Sequence, residues 1–495
     1  MSPFLFWTIV WVGSRRYSKG RKTADFLAAH ISEVALAALS ARSTILQTLQ
    51  GLLVLCTWPV PVTTMRNDLS YFLSGAALNL AMEIGLHAYG NGQDFSRVKL
   101  QHDDKQTAFR SSLWLHCSIT CQRSDDIECH EKNLLTSCSR SIAEGLPPLT
   151  VFHFPNDDCE SELMTRAASP EIRFRQQIQD IQSSAMTTMI RNGLTLHSTG
   201  QADLLSSLIE IMDTRVLEFK HPSQSLLNVL YVSCARLHIQ SLYFFHAPDR
   251  PKKEGLAGLY SIAIMVIETV AALERSGTPI EYFSTVYIRR TLSLAALSIL
   301  KLSRSCLAQH LDLVKGEAAY LSVVSMMRAD SFQYNDLTAR GTTIRSQLWN
   351  SQHVFRSPSG ADNSLALRVR GRLSMSIVYD CFWYWREEFG GESSPFQAEE
   401  ERMNVRAPAS QSPKLGVGTI GDPGSNTSPA FAEGYAHPAP LAEPSWYSTE
   451  ADTISTVMEN GRMLEPGNTS MPNGLSEEDW LFLGVDFTLD PWGQL

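Results

Sequence analysis

Six residues of metal-binding type crowd one short stretch of the chain: His116, Cys117, Cys121, Cys129, His130 and Cys138. Thiolates and imidazoles in a tetrahedral set hold structural zinc, and such sites have recognisable ligand spacings. Here the succession is C-x3-C, C-x7-C, C-x8-C, which fits no common structural zinc site. Cys117 and Cys121 sit four residues apart on an apolar helical pattern with Leu113 and Trp114, and read as core thiols. None of the nine cysteines forms a C-x-x-C pair, so neither a disulfide framework nor a zinc ribbon is indicated. Buried thiols in a reducing compartment are the expectation.

A second pattern, Gly416, Gly418 and Gly421, matches G-x-G-x-x-G. A dinucleotide site needs a strand before that loop and a helix after it, so that the helix N-terminus meets the pyrophosphate. Pro413 precedes the glycines and Asp422-Pro423-Gly424 follows, so no helix starts there. There is no G-x-S-x-G, H-E-x-x-H or P-loop. A helical cyclase would need aspartate-rich helices facing an apolar cavity, and Asp103-Asp104 and Asp157-Asp158 lack that setting. The expectation is a chain with no catalytic, cofactor or metal residues.

Two charged constellations remain. Arg15, Arg16, Lys19, Arg21 and Lys22 form a basic cluster, a candidate nuclear localisation signal that competes with a plain solvated helix end. At the far end, Trp480, Leu481, Phe482, Leu483, Phe487, Leu489 and Trp492 alternate with Glu477, Glu478, Asp479, Asp486 and Asp490, and no Lys or Arg follows Arg462. Acids that keep aromatics solvated until a partner groove takes them up are the chemistry of an acidic activation segment. A terminal helix docked on the body is the competing reading.

Most of the chain that must carry these groups reads as helix, an all-α fold. From Asp68 to Leu86, Phe72, Ala76, Leu80 and Ile84 recur every four residues beside Leu73, Ala77 and Ala81, which predicts one wide apolar stripe. Asp68 or Ser70 can cap its start and Gly85 its end. Ile45–Trp58 is a helix stopped by Pro59 and Pro61, and further helices are expected over Ser225–Phe245, Gly255–Arg275, Tyr287–Leu307 and Leu365–Phe389. The apolar run Pro3–Val12 spans only ten residues, against roughly 20 for a membrane span. No positive region precedes it and no small-residue cleavage site follows, so a buried helix is expected rather than a signal peptide or an anchor. Alternating strand patterns are nearly absent.

Charge and composition divide the chain. The net charge is −9, but Gln397–Leu495 holds 15 acidic and 4 basic residues, which leaves the rest near +2. A near-neutral body carries no electrostatic footprint for nucleic acid. The expected organisation is a helical body over 1–391, a disordered Pro/Ser/Gly/Glu-rich linker over 392–475 and the acidic–aromatic segment over 476–495.

Several stretches together carry a resemblance. Residues 2–17, Gln47–Pro59, Phe72–His87, Arg110–Trp114, Gly145–Pro148 and Arg372–Arg386 resemble, in order and spacing, the middle homology region of fungal Zn(II)2Cys6 transcription factors, nearest the leucine-pathway and secreted-protease regulators. The resemblance implies a helical regulatory region, zinc only in that family's N-terminal DNA-binding cluster, a nuclear location and an activating C-terminus. It implies coactivators as partners, a homo- or heterodimer, a small-molecule effector and no membrane. Met1 falls at the start of the middle region, so the cluster and its coiled coil are missing. Contact with DNA is then expected only through a missing cluster or a partner. A cluster-less protein that dimerises with full-length regulators and titrates them is the alternative, with a helical enzyme more remote. Residues 124–140 insert polar sequence where the family runs directly on.

Overall fold

The computed structural model describes residues 1–389 apart from 16–20, 42–43, 63–67, 89–91, 97–103, 121–167, 193–200, 220–224, 279–283, 332–335 and 357–361. The expected linker, the acidic–aromatic segment, Gly145–Pro148 and the 416–421 glycines all lie outside the described residues. Among the described residues every regular element is helical, and the single β-bridge joins Arg356 and Asp362.

The first half is a small helical bundle: α1 Pro3–Ser14, α2 Arg21–Ser40, α3 Ile45–Thr57, α4 Ser70–Glu83, the single turn α5 Gly92–Phe95, and α6 Asp104–Thr120. In α1 the hydroxyl of Ser2 accepts from the Leu5 amide and Pro3 occupies the first turn, the arrangement that satisfies an orphan donor at a helix start. Phe4, Trp11 and Val12 of α1 pack with Leu49, Leu52 and Leu55 of α3 and with Leu73, Ala77 and Ala81 of α4. The apolar N-terminal run is thus used as a core helix. Trp11 donates from its indole to the Trp58 carbonyl at 3.2 Å, which fixes the end of α3 against α1.

The apolar stripe of α4 is narrower than its sequence suggests. Leu73, Ala77, Leu80, Ala81 and Ile84 are buried, but Phe72 is 59% exposed. A helix packed on one side buries about a third of its circumference, and Phe72 falls past the edge of that arc. Asp68 accepts from the Ser70 amide at 3.0 Å, and Gly85 ends the helix at φ +68°. A Cβ at Gly85 would collide with the carbonyl oxygen of Gly92, so both its backbone angle and its neighbour require glycine.

The second half is a larger bundle: α7 Pro170–Arg191, α8 Ala202–Glu218, α9 Leu226–Gln240, α10 Lys253–Arg275, α11 Val286–Ser303, α12 Leu313–Ala329, α13 Leu337–Asn350 and α14 Ser376–Phe389. Short 3-10 turns occupy Ser241–Phe245, Ala308–His310 and Leu373–Met375. Side-chain caps recur: Ser169, Ser225, Thr285, Asp312 and Asp336 each accept from an amide in the first turn. α11 is buried nearly all round and sits centrally, against α9, α10, α12 and α14. α10 is long and apolar enough to cross a membrane by length and composition, but its apolar face is taken by α9, α11 and α12. Residues 365–372, expected as helix, are irregular backbone, and helix resumes only at Ser376.

The buried apolar residues of the described body form two large cores. Among the described residues they meet along α6 and α7, around Leu115, Ala168 and Ile172, and where α3 touches α11. Asp330, at the end of α12, joins them electrostatically: Arg289 reaches it at 3.2 Å and Arg15 from α1 at 3.7 Å. The Leu337 amide also donates to the Val62 carbonyl at 2.9 Å.

Gly316 on α12 admits the ring of Tyr260 from α10, whose hydroxyl donates to the Asp312 carbonyl at 3.0 Å. A Cβ there would overlap the Tyr260 hydroxyl. Gly316→Val is expected to destabilise the body by about 1–3 kcal/mol, the range of overpacked cores, read as a lowered denaturation midpoint in urea.

Candidate functional site

Arg15 is not available as part of a solvent-facing import signal. Its guanidinium is almost wholly buried against Asp330, because α1 lies on the first core and points its C-terminal end at α12. Lys22 on α2 is exposed. Arg16 and Lys19 lie outside the described residues, as does the side chain of Arg21. Of the metal-type cluster, Cys117 is buried in the first core, while Cys121, Cys129, His130 and Cys138 lie outside the described residues. No group of three or more potential ligands occurs among the described residues. His116 is held neutral: burial, then the nearby Arg175 charge, push its pKa down to about 4.

The concentrated chemistry of the described body lies inside the second core, at residues that composition and motifs did not single out. Lys301 is the only charged residue among the last ten of α11, and its side chain has no exposure. Its ammonium donates to Asp380 on α14 at 2.6 Å and to the Ala366 carbonyl at 3.0 Å. The rings of Phe355, Tyr384 and Phe244 face it at 4.6, 5.6 and 5.9 Å from their centroids. The other oxygen of Asp380 accepts from the backbone amides of Arg368 and Val369, at 2.8 and 3.4 Å. One carboxylate thus closes a salt bridge and organises the irregular 365–372 backbone, which has no ladder of its own to satisfy it. Removing one member of such a pair strands a buried charge.

Next to this pair, His238 of α9 bonds the hydroxyl of Ser374 at 2.8 Å through one ring nitrogen and that of Thr291 at 3.0 Å through the other. Tyr287 stacks on the imidazole at 5.5 Å, and its hydroxyl donates to Gln182 of α7 at 3.0 Å. Burial drives the His238 pKa down to about 3, so the ring is neutral with one donor and one acceptor nitrogen. Arg175 lies over the Tyr231 ring at 4.7 Å. A polar seam therefore runs from α7 through α9 and α11 to the turn before α14. Arg368 extends it outward, stacked on Trp383 at 3.8 Å and paired with Glu387 at 2.8 Å. The arrangement holds elements together. The hydroxyls of Ser374 and Thr291 on His238 are buried with that ring, and Cys234 and Cys381 are both buried with their thiol pKa values raised by burial.

The sequence did carry a trace of this site. A lone lysine in the run Leu294–Leu302 and a lone aspartate in the aromatic run Tyr379–Trp385 are the pattern of charges buried because they meet each other. Which lysine meets which acid, 79 positions apart, is set only by packing.

Two outcomes follow from this geometry. Asp380→Asn is expected to destabilise the second bundle by about 3–5 kcal/mol in urea unfolding, and Lys301→Met combined with Asp380→Leu by much less, because the double change leaves no buried charge. The histidines set a pH dependence. His116 and His238 have folded pKa values lowered from 6.5, so the unfolded chain binds more protons between that value and about 4 and 3 respectively. Their contribution is complete above pH 6.5 and is lost as pH falls. Asp180, whose pKa burial raises, acts with the opposite sign. At one pKa unit per 1.36 kcal/mol, taking the protein from pH 6.5 to 5 should remove roughly 2 kcal/mol per histidine, and His238→Gln should flatten that slope by its share.

No family model matches the chain, and no solved structure matches it. Curated relatives do. It is 19% identical over 453 residues to the regulatory protein LEU3 of Saccharomyces cerevisiae, covering 79% of this chain and 48% of that protein. It is 23% identical over 401 residues to the transcriptional regulatory protein SEF1 of Candida albicans, covering 77% of this chain and 41% of that protein. It is 22% identical over 429 residues to a SEF1 transcription factor of Kluyveromyces lactis, covering 81% and 35%. The chain thus spans less than half the length of these relatives. The ordered resemblance of its helices and these matches over most of its length agree: the chain is a homologue of fungal zinc-cluster transcription regulators, related to them through a helical middle region.

Proposed function

We propose that this chain is the regulatory and activating part of a nuclear fungal transcription activator and not an enzyme. The observation that carries the reading is the match to regulators across more than three quarters of the chain. In this reading the two-core helical body regulates, by binding a small-molecule effector or a second subunit. Contact with DNA is made through a zinc cluster outside this sequence or through a partner. The near-neutral body supports that assignment, since duplex binding needs a basic face. Residues 476–495 recruit coactivators: Trp480, Leu481, Phe482, Leu483, Phe487 and Trp492 enter a partner groove while the five acids keep them solvated beforehand. With Arg15 taken by Asp330, nuclear import rests on Arg16, Lys19, Arg21 and Lys22.

The test is a fusion of residues 476–495 to an unrelated DNA-binding domain, read with a reporter gene. Activation is expected. Trp480→Ala with Phe482→Ala should remove most of it, since each buried large aromatic is worth roughly 1.5–3 kcal/mol and two together weaken binding about a hundredfold or more. Replacing Glu477 and Glu478 with Gln should cost less, because exposed acids mainly steer. A silent fusion would remove the activation assignment and leave the regulatory reading of the body standing alone.

A further inference from the structure

Two bulky residues in the second core hold backbone angles that side chains normally avoid. Phe355 has φ +66° and Leu373 φ +45°, and both are buried. Among the described residues they are the non-glycine residues with positive φ. Such angles persist only where surrounding contacts over-determine them, and they collect at switching segments. Both belong to the passage into the last helix. Phe355 accepts from the Asn363 amide at 2.8 Å beside the Arg356–Asp362 bridge, and Leu373 opens the turn that leads into α14.

What holds this passage closed is specific. The backbone of 366–369 is tied through Lys301 to the Ala366 carbonyl and through Asp380 to the Arg368 and Val369 amides. Ser374, next to the strained Leu373, is tied to His238. Arg370 donates to the Phe245 carbonyl at 2.7 Å, and Arg372 stacks on Tyr379 at 4.7 Å. The bonds of Lys301, His238 and Phe245 link one terminal element of the described body, residues 362–389, to α11, α9 and the turn after α9, and Trp385 donates to Gln347 of α13; the Asp380–amide and Arg372–Tyr379 contacts lie within the element. Few of them belong to a helix or a sheet ladder. Lifting the element would release the strain at Leu373 and break its bonds to Lys301, His238 and Phe245 together.

We propose that residues 362–389 are a strained clasp: the unit of α14 and its leading segment opens locally, with the Lys301–Asp380 pair as its lock, while α7–α13 stay folded. The chain continues from α14 into residues 390–495, so opening of the clasp would move the point at which that part joins the body.

The chain carries its own reporters. Cys381 lies on α14 and Cys234 on α9, both without exposure. Cys381 sits in the second turn of α14, beyond the reach of fraying from the helix's C-terminal end. The full chain is incubated with N-ethylmaleimide under native conditions, and labelling is followed peptide by peptide by mass spectrometry. A clasp predicts that Cys381 is labelled at least about tenfold faster than Cys234, as local opening precedes global unfolding. Asp380→Asn should raise the Cys381 rate by about tenfold or more, with Cys234 still labelled more slowly although its rate also rises as the bundle loses stability. Ser374→Ala, a milder change that cuts only the His238 tie, should raise the Cys381 rate a few-fold. Equal rates for the two cysteines in the unaltered chain would overturn the proposal. That outcome would mean that α14 leaves only when the whole bundle unfolds.

Discussion

The second bundle depends on one buried ion pair. Lys301 and Asp380 have no exposure, and separating either from the other would leave a charge in an apolar interior. The pair joins the central helix of the bundle to its last helix, and the aspartate also organises the irregular segment between Ala366 and Val369. Three aromatic rings close the site from water, which strengthens the interaction and raises the cost of breaking it. An apolar pair of similar size would satisfy packing equally well, so the ion pair is better understood as fixing which segment docks where.

The same logic operates between the two cores. Each is a separate apolar cluster, and apolar packing alone is tolerant of small sliding motions. Asp330 meets one arginine from each half, and a main-chain bond from Leu337 to Val62 sits nearby. Polar contacts of this kind are directional, and they set register where hydrophobic contact would leave it loose. The body is thus two apolar units positioned by buried charge.

Function enters through relationship more than through any catalytic geometry. The relatives are transcription regulators, and the present chain corresponds to less than half of each. The polar seam from Arg175 to Ser374 consists of amides, hydroxyls, a neutral imidazole and a caged ammonium. Those groups hold and orient. They join the segment leading into α14 to α7, α9 and α11.

Much of the helical class was legible in the sequence, because a 3.6-residue apolar period, capping residues and proline stops act within a few residues of one another. The α3 and α4 helices, the Gly85 stop and the use of the N-terminal apolar run as a core helix all follow from such local signals. The order of quoted motifs also carried the family. The division into two cores, the burial of Arg15 and the irregular backbone of 365–372 were decided only by tertiary structure. Each depends on a partner far along the chain: Asp330 for Arg15, and Asp380 held by Lys301 for the segment that periodicity assigned to a helix. Helical periodicity specifies which face of an element is apolar. It contains no term for which distant charge will meet that face, and in this protein buried charge places the elements.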